Sequence, residues 1–465
     1  MAEDEFYAAT VSLAVPIDQA FAYHERPGAL SRLIPPWESV ELEHSDGSLT
    51  VGSQVVMKTK IFGIPFRWVA RHTEYDRPRL FADTQVSGPF ASWDHRHEFS
   101  EPSTEQSSMS QLRDQIRYRV PLGAVGRLFG GSKARRTIEA MFAFRHRLTQ
   151  DDLQLHHDRP AEPMTIAISG SSGMVGSQLS ALATLLGHQV RPIVRSVDKD
   201  PNTIAAWSND DDLQKFEGVD AVVHLAGKSI ADQRWTDPVK QEIRDSRVVK
   251  TRQLCELLAR LDRKPSVLIC ASATGIYGDR GDEILTEDSQ PDDSFLADVA
   301  RQWEAACQPA IDAGIRVVHA RFGIVLSPQG GALEKSLLPA KLAGGSLGNG
   351  RQWWSWIALD DVVGAIYHAI TDPSMSGPVN FVSPTPVTNG EFAKTLASVV
   401  GRPALFPAPA FALRAALGEM ADALLLSSCR AEPTRLQAAG YRFRFTELEP
   451  FLRYVLGRNR LRSEA

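Results

Sequence analysis

The chain has 465 residues and a net charge of −5 at pH 7, with 43% hydrophobic and 23% charged residues. This composition is typical of a folded protein of two or three domains, and the negative charge argues against a general nucleic-acid or anionic-membrane binder. The acidic start MAEDEFYAAT lacks the blocks of a secretion signal, and the apolar segment FALRAALGEMADALLLSS carries three charges, which predicts no membrane span. Four scattered cysteines without a CxxC pair predict a cytoplasmic protein that has no zinc site.

Residues 1–155 are predicted to form an antiparallel sheet with a closing helix. Runs such as TVSLAV, FRWVARHTEY and RLFADTQV alternate as half-buried strands do. VPIDQAFAYHERPGALSRL predicts a helix pair, and SKARRTIEAMFAFRHRL predicts a helix with Ile138, Met141 and Phe142 on one face. Such a sheet and helix usually enclose a cavity, so we expect an apolar ligand here. Residues 150–163 are polar and predict a linker.

Residues 164–179, MTIAISGSSGMVGSQL, form the most informative motif of the chain. A β-branched strand ends at Gly170, Gly173 and Gly176 follow at three-residue spacing, and a helical run begins at Val175. These glycines permit a tight turn, a close approach of a diphosphate to the backbone, and close packing of helix on strand. The diphosphate then lies at a helix N-terminus. The predicted cofactor-binding residues of this loop are Gly170, Ser171, Ser172, Gly173, Met174 and Val175.

Strands and helices alternate after this motif. Apolar runs at 189–195, 221–225, 266–271 and 315–320 predict strands, with helical patterns between them. This alternation predicts an α/β fold with a Rossmann-type, doubly wound parallel sheet over residues 164–320. The alternation loosens from Arg321, and we expect residues 321–465 to form a mostly helical cap on the substrate side.

The second half resembles the extended short-chain dehydrogenase/reductases, the NAD-dependent epimerase/dehydratase family. GSSGMVG, HLAG, CASATGIYG, RFGIVL, SWIALDDVVGAI and GPVNFVSP occur in the order of that family. RWTDPVKQEIRDSRVVKTRQL and PTRLQAAGYRFRFTEL resemble its atypical, cell-division-inhibitor-like epimerase subgroup. PGALSRLIPPW and the closing helix make the first 150 residues similar to the START-like (SRPBCC) polyketide cyclase and lipid-transport family. That resemblance implies an α+β helix-grip domain before the Rossmann sheet.

The second strand of the sheet bears on the choice of cofactor. In NAD-preferring folds a carboxylate there binds the adenosine ribose. Here QVRPIVRS ends in Arg195 and Ser196, and a guanidinium pairs well with a 2′-phosphate. We therefore expect NADP, while Asp198 close behind keeps NAD as the alternative.

The HLAG motif is the other predicted cofactor contact. The resemblance places Leu225, Ala226 and Gly227 beside the adenosine and diphosphate. A buried strand that ends in a turn explains the same residues without a cofactor.

The usual catalytic dyad of the family is missing. The resemblance implies a YxxxK pair, yet none of the eight tyrosines has a lysine four positions later. Landmark alignment puts Phe295 and Val299 at the two positions, and neither carries a proton. Ser272, as a hydrogen-bond partner of the substrate, and Tyr277, beside the nicotinamide, are the remaining catalytic candidates. Weaker candidates are Lys240, Ser246, Arg247, Asp282, Glu287, Trp353, Trp354 and Trp356.

Two functional hypotheses follow. In the first, the chain is an NADP(H)-binding epimerase or oxidoreductase with a non-standard active site and a small-molecule substrate. In the second, it is a non-catalytic NADP(H)-dependent sensor or regulator, or a carrier of an apolar ligand. A weaker alternative makes the N-terminal domain a docking module. The sequence predicts neither the substrate nor the oligomeric state.

Overall fold

A computed structural model describes residues 4–61, 63–102, 109–195, 202–205 and 213–464 of the chain. The chain divides into two compact units, which are Met1–Pro160 with Thr184–Gly187 and Arg453–Ala465, and Ala161–Ala183 with His188–Leu452. The domain boundaries that the sequence suggests at 155, 164 and 320 stay predictions.

The first unit is built on an antiparallel sheet, in which seven strands lie within the described residues. They are β1 (Glu5–Leu13), β2 (Val40–Ser45), β3 (Gln54–Ile61), β4 (Ile64–Asp76), β5 (Leu80–Ser87), β6 (Ser92–Ser100) and β7 (Ser110–Arg119). The order across the sheet is β1-β7-β6-β5-β4-β3-β2, so the first strand pairs with the last. TVSLAV, FRWVARHTEY and RLFADTQV are confirmed as the sources of strands, whereas the sequence patterns do not predict β6 and β7.

Helices accompany this sheet. They are α1 (Ile17–Glu25), α2 (Ala29–Leu33), α3 (Gly123–Gly126) and α4 (Ser132–Asp158). The predicted helix pair is confirmed by α1 and α2, and the predicted closing helix by α4. Ile138, Phe142 and Leu148 of α4 are buried, as the helical spacing of its apolar residues requires.

The predicted linker at 150–163 is wrong over its first half, because α4 continues to Asp158. Asp152 explains the continuation. Its carboxylate is fully buried and accepts hydrogen bonds from Arg32 Nε at 3.0 Å, Arg32 Nη2 at 2.9 Å and Tyr23 Oη at 2.8 Å. Asp152 and Leu153 of this polar stretch therefore belong to the packed interior, whereas Gln150, His157 and Asp158 are exposed.

The second unit contains the remaining strands. They are β8 (Thr165–Ser169), β9 (Gln189–Ile193), β10 (Ala221–His224), β11 (Val267–Ala273), β12 (Ile284–Leu285), β13 (Arg316–Phe322), β14 (Ile324–Ser327), β15 (Gly344–Leu347), β16 (Trp353–Trp354), β17 (Trp356–Ala358), β18 (Gly377–Phe381), β19 (Val387–Thr388), β20 (Phe406–Ala408) and β21 (Arg430–Ala431). Over the described ranges, six of these form one parallel sheet in the order β18-β13-β11-β10-β8-β9.

The helices of the second unit complete the α/β pattern. They are α5 (Met174–Leu185), α6 (Leu213–Phe216), α7 (Asp237–Asp245), α8 (Val248–Ala259), α9 (Phe295–Ala305), α10 (Gln308–Asp312), α11 (Gly331–Lys341), α12 (Leu359–Thr371), α13 (Asn389–Val400), α14 (Ala410–Leu417), α15 (Thr434–Ala438) and α16 (Leu448–Val455). The predicted doubly wound fold and its strands are confirmed, with strand ends shifted by up to two residues.

The sheet order positions a ligand site. The chain moves outward from β8 to β9 on one side, then returns and builds β10, β11, β13 and β18 on the other. This reversal between β8 and β10 is a topological switch point, and ligands bind at such a point beyond the carboxyl ends of the strands. The short strands TIAIS and AVVH are buried on both faces, as central parallel strands must be.

The region after residue 320 contributes to this sheet as well as to the cap. Residue 320 falls inside β13, and β18 supplies the outer strand of the sheet. Helices and short strand pairs account for much of the rest. No helix among the described residues combines enough length and hydropathy to cross a bilayer.

Candidate functional site

A cavity of about 320 Å³ lies in the second unit at the carboxyl ends of the central strands. Residues that directly follow β8 and β10 line it, together with the end of β11 and parts of helices α5, α7 and α9. The lining residues are Gly170, Gly173, Met174, Val175, Gly176, Leu225, Ile230, Ile243, Arg247, Ala271, Ser272, Ala273, Gly275, Leu296, Val299, Ala300, Trp303 and Phe322. The wall is therefore mostly apolar, with few polar side chains to orient a ligand.

The glycine loop has the geometry that its motif predicts. Gly170 has φ +70°, and a Cβ there would lie 3.1 Å from the backbone nitrogen of Ala226. A Cβ on Gly176 would lie 2.1 Å from the carbonyl oxygen of Gly170. Both positions therefore require glycine for the backbone to close. At Gly173 a Cβ would lie 3.2 Å from the same oxygen, and the residue is exposed on the cavity wall.

Helix α5 begins directly after this loop, at Met174. The amides of a first helical turn have no acceptor within the helix, and the helix dipole places positive charge there. Met174 and Val175 line the cavity, so this polar helix end borders the space that a ligand would fill. The glycine cradle and these amides fit the diphosphate of a dinucleotide.

The HLAG segment is held by the first strand. Ser169 Oγ accepts hydrogen bonds from the backbone nitrogens of Leu225 at 3.1 Å and Ala226 at 3.2 Å, and lies 2.6 Å from His224 Nδ1. Burial lowers the pKa of His224 to about 4, so the ring is neutral at physiological pH. The Leu225 and Ala226 amides therefore already donate hydrogen bonds within the protein. Leu225 lines the cavity because it directly follows β10.

Several predicted cofactor-binding residues lie outside the cavity lining. They are Ser171, Ser172, Arg195, Ala226 and Gly227. Arg195 is exposed just beyond β9, where a long side chain has room to move. Ser196 and Asp198 lie outside the described residues.

Ser272 is brought to the cavity at the end of β11, as the sequence predicts for its strand. Its Oγ donates a hydrogen bond of 2.7 Å to Glu304 Oε1. Arg321 binds the same carboxylate through two bonds, of 2.8 Å from Nε to Oε1 and 2.9 Å from Nη2 to Oε2. Burial disfavours the charge of Glu304, but Arg321 more than offsets it and holds the pKa of Glu304 below its usual value. Ser272 thus donates a hydrogen bond to the Glu304 carboxylate, and the lone pairs of its oxygen can accept a hydrogen bond from a ligand.

The prediction that Tyr277 lines the nicotinamide pocket is wrong for this structure. Tyr277 is fully buried outside the cavity lining, and its hydroxyl donates to Asn380 Oδ1 at 2.7 Å and accepts from Arg321 Nη1 at 2.9 Å. Burial raises the pKa of Tyr277 to about 12. Its phenol is therefore a structural hydrogen-bonding group, because the tight turn Thr274–Tyr277 directs it into the core.

The positions of the missing dyad lie on helix α9, whose Val299 lines the cavity. Leu296 and Ala300 line it beside Val299, so this wall is apolar. Phe295 packs its ring 5.2 Å from that of Trp235, with Lys240 Nζ 5.1 Å from its centroid. The side chains of Leu296, Val299 and Ala300 carry no group that could transfer a proton to a ligand in the cavity.

Arg247 is the cationic side chain on the cavity wall. It is half-buried, and this burial lowers the pKa of Arg247 to about 10, so the side chain remains charged at pH 7. Its Nη1 donates to the carbonyl oxygens of Lys228 at 2.9 Å and Ile243 at 3.2 Å, and the guanidinium carbon lies 5.1 Å from the Trp303 centroid. Among the described residues no carboxylate pairs with Arg247, so an anionic ligand would gain from this charge.

The other weak candidates belong to the framework. Lys240 pairs with Glu419, and Ser246 accepts from the backbone nitrogen of Lys228 at 3.0 Å. Asp282 and Glu287 accept hydrogen bonds from Trp353 Nε1 at 2.8 Å and from the backbone nitrogen of Asn380 at 3.0 Å, respectively. The three tryptophans at 353, 354 and 356 lie outside the cavity lining.

Sequence reasoning missed Glu304 and the role of Arg321. The two groups come from α9 and β13, and only the packed fold makes them a pair. The sequence patterns also do not predict the cluster of Asp83, His95 and His97 in the first unit, although the two histidines lie two positions apart on one strand.

Family models match three parts of the chain. The NAD dependent epimerase/dehydratase family matches residues 166–381, the polyketide cyclase/dehydrase and lipid transport family matches 13–142, and a domain of unknown function matches 408–455. The first two matches agree with the resemblances that the motifs indicate.

Two bacterial relatives are similar over most of their own length. An epimerase family protein of Mycobacterium bovis is 42% identical over 298 residues, which are 63% of this chain and 98% of the relative. The epimerase family protein YfhF of Bacillus subtilis is 40% identical over 293 residues, 62% of this chain and 96% of the relative.

Two solved structures are similar in fold. A nucleoside-diphosphate sugar epimerase from Corynebacterium glutamicum matches with a TM-score of 0.79 and 32% identity, over 97% of this chain and 91% of that one. The human epimerase family protein SDR39U1, solved with NADPH, matches with a TM-score of 0.59 and 30% identity, over 63% of this chain and 99% of that one. These matches agree with the glycine loop and show that the chain belongs to the NAD dependent epimerase/dehydratase family and carries an N-terminal domain of the polyketide cyclase type.

Proposed function

We propose that the chain binds NADP(H) in the cavity and acts on a small molecule beside Ser272. The observation that carries the proposal is the shared cavity, which has the glycine loop on one side and Ser272 with Arg247 on the other. The amides of Met174 and Val175 would hold the diphosphate, with Gly173 leaving room for its approach. The nicotinamide, when bound, supplies a hydride donor or acceptor.

A titration tests this proposal directly. NADPH and NADH are added separately to the full-length protein, and the fluorescence of the reduced nicotinamide is followed. We expect saturable binding of one cofactor per chain, with NADPH bound more tightly. No saturable change at millimolar concentrations of either cofactor would reject the proposal.

The preference for NADP rests on Arg195, which is exposed just beyond the second strand of the sheet. A guanidinium there would pair with a 2′-phosphate, a charge-assisted contact worth about 1.5–3 kcal/mol. NADPH is also the cofactor in the structure of human SDR39U1. NAD occurs in more distant neighbours of the same fold, so cofactor choice must be tested on this chain.

We predict that Arg195→Ser weakens NADPH binding by about 10- to 100-fold, because the 2′-phosphate loses its cation. NADH, which has no such phosphate, should keep its affinity within about twofold. Arg402→Ser, at another exposed arginine, is the matched control. Equal losses for NADPH and NADH would show that Arg195 does not read the phosphate.

Ser272 is the group that we assign to the substrate. The Ser272 hydroxyl already donates its hydrogen to Glu304, so its oxygen would accept a hydrogen bond from a substrate hydroxyl. The Arg321–Glu304 pair fixes the position of this serine and keeps Glu304 ionised. Arg247 would face a phosphate or carboxylate of the substrate or the cofactor.

A second candidate function is non-catalytic. The resemblance puts Phe295 and Val299 at the positions of the proton-transferring pair, and neither side chain carries a proton. Val299 lines the cavity within an apolar wall, and this favours a sensor or regulator that binds NADP(H) without turnover. The two functions share the cofactor site and differ in whether a substrate is converted to product there.

Turnover separates the two. We propose two assays: product analysis by chromatography or NMR with nucleoside-diphosphate sugars, since that substrate class is named for the Corynebacterium glutamicum neighbour, and loss of NADPH absorbance with aldehydes and ketones. Epimerisation returns the hydride to the sugar and leaves the NADPH absorbance unchanged, so only the product analysis reports it. With an active substrate, Ser272→Ala should lower kcat/KM by about 10- to 100-fold because one hydrogen bond to the substrate is lost. Tyr277→Phe should change kcat/KM by less than about threefold, because its hydroxyl faces Asn380 and Arg321.

Tight NADPH binding without turnover across the panel would favour the sensor. A larger loss for Tyr277→Phe than for Ser272→Ala, in folded variants, would contradict the assignment of Ser272. The apolar ligand of the N-terminal domain and the cytoplasmic location stay predictions.

A further inference from the structure

The concave face of the first sheet carries an unusual group of polar side chains. His95 and His97 lie two positions apart on β6 and therefore point to the same face. Asp83 on β5 is the direct cross-strand partner of His95, and Asp114 on β7 is the partner of His97. One ligand atom from each of Asp83, His95 and His97 lies within 4.8 Å of the other two.

Asp114 lies beside these histidines. Its Oδ1 lies 3.1 Å from His95 Nε2 and 2.6 Å from His97 Nδ1, and its Oδ2 lies 2.5 Å from Nε2 of His146 on α4. Asp114 is 2% exposed and accepts hydrogen bonds from His95 and His146, whereas His97 Nδ1 is close to it without the geometry of a hydrogen bond. A carboxylate that orients a histidine in this way is the usual outer partner of a metal ligand.

The tautomer that this arrangement favours creates a conflict at the inner side. When His95 donates from Nε2 to Asp114, its Nδ1 carries a lone pair, and this atom lies 3.8 Å from Asp83 Oδ2. The Asp83 carboxylate and this nitrogen are then two acceptors that face each other within the first unit. A cation between them would resolve the conflict, because both atoms are metal ligands.

The nearest charges do not remove the need for a cation. Arg145 of α4 acts on both Asp83 and Asp114, but its Nε donates to the backbone oxygen of Leu33 at 3.1 Å.

We propose that Asp83, His95 and His97 bind a divalent first-row transition metal inside the N-terminal domain, with Asp114 orienting His95. Two imidazoles and one carboxylate suit Zn²⁺, Co²⁺ or Fe²⁺ and leave coordination positions for water or for a ligand that enters the domain. The site is independent of the NADP(H) cavity, since its residues all belong to the first unit.

Cobalt titration of the full-length, untagged protein after dialysis against EDTA tests the proposal. We expect one Co²⁺ per chain, with visible d–d absorption and no thiolate-to-cobalt band in the near ultraviolet. The absent thiolate band separates this site from the buried cysteines of the second unit. Zn²⁺ should displace Co²⁺ and should raise the Tm of the protein.

Asp83→Asn and His97→Gln should each weaken Co²⁺ binding at least 10-fold. Asp83→Asn keeps the size of the side chain, so it tests the site even if His97→Gln fails to fold, and the Tm of each metal-free variant reports folding. His44→Gln is the matched control, because His44 is exposed on β2 of the same sheet. Absence of a cobalt spectrum at millimolar Co²⁺, or unchanged affinity in folded Asp83→Asn, would overturn the proposal.

Discussion

Gly173→Asp is expected to abolish NADPH binding while the protein keeps its fold. Gly173 is exposed at the cavity, and a Cβ would meet only the carbonyl oxygen of Gly170, at 3.2 Å. A small shift of the loop therefore admits the side chain. Its carboxylate would then lie where the amides of Met174 and Val175 attract the diphosphate, and like charges at such a site cost several kcal/mol. We expect a loss in affinity of at least about 100-fold.

Gly173→Asn is the matched control, since it has the same shape without the charge. It should bind NADPH more weakly than the wild type and more tightly than Gly173→Asp. Gly176→Ala provides a contrast, because its Cβ would lie 2.1 Å from the Gly170 oxygen. That variant should lose thermal stability as well as binding. Unchanged NADPH affinity in Gly173→Asp would show that the diphosphate does not bind at this loop.

Asp152→Ala should lower the free energy of unfolding of the first unit by about 3–5 kcal/mol. The Asp152 and Arg32 side chains are 0% and 1% exposed, so the substitution leaves a buried guanidinium without its carboxylate. It also removes the acceptor of the Tyr23 hydroxyl, at 2.8 Å. Hydrogen exchange of peptides from α1 and α4 in the full-length protein, measured through a denaturant series, reports this loss.

Asp151→Ala is the control for this prediction. Asp151 lies next to Asp152 on α4, and its bond of 3.4 Å to Arg147 joins side chains that are 25% and 40% exposed. Exposed pairs contribute at most about 1 kcal/mol, so this variant should remain close to the wild type. Similar losses in the two variants would mean that the buried pair does not stabilise α4 as we infer.

The features that sequence predicts well are those set by neighbouring residues. The glycines at 170, 173 and 176 mark their own loop, because Gly170 takes a positive φ and a Cβ on Gly176 would lie 2.1 Å from the Gly170 oxygen in the same turn. Ser272 lies near the end of the buried strand β11, and its place at the carboxyl end of the sheet follows from that strand.

The features that sequence misses depend on contacts between distant segments. The Glu304–Arg321 pair joins a helix to a strand, and Asp152 is held by α1 and α2. Strand β6 goes unrecognised because its inward face includes His95 and His97 among apolar residues, which blurs the alternation that marks a strand. The motif around Tyr277 predicts a position beside the nicotinamide, yet the turn that carries this residue directs its phenol into the core.

A crystal structure of the full-length protein with NADPH tests the central claim most directly. We expect the cofactor diphosphate within hydrogen-bond distance of the Met174 and Val175 amides, with Arg195 near the 2′-phosphate and the nicotinamide toward Ser272. A cofactor bound elsewhere, or side chains closing the space above Gly173 at saturating NADPH, would contradict the account.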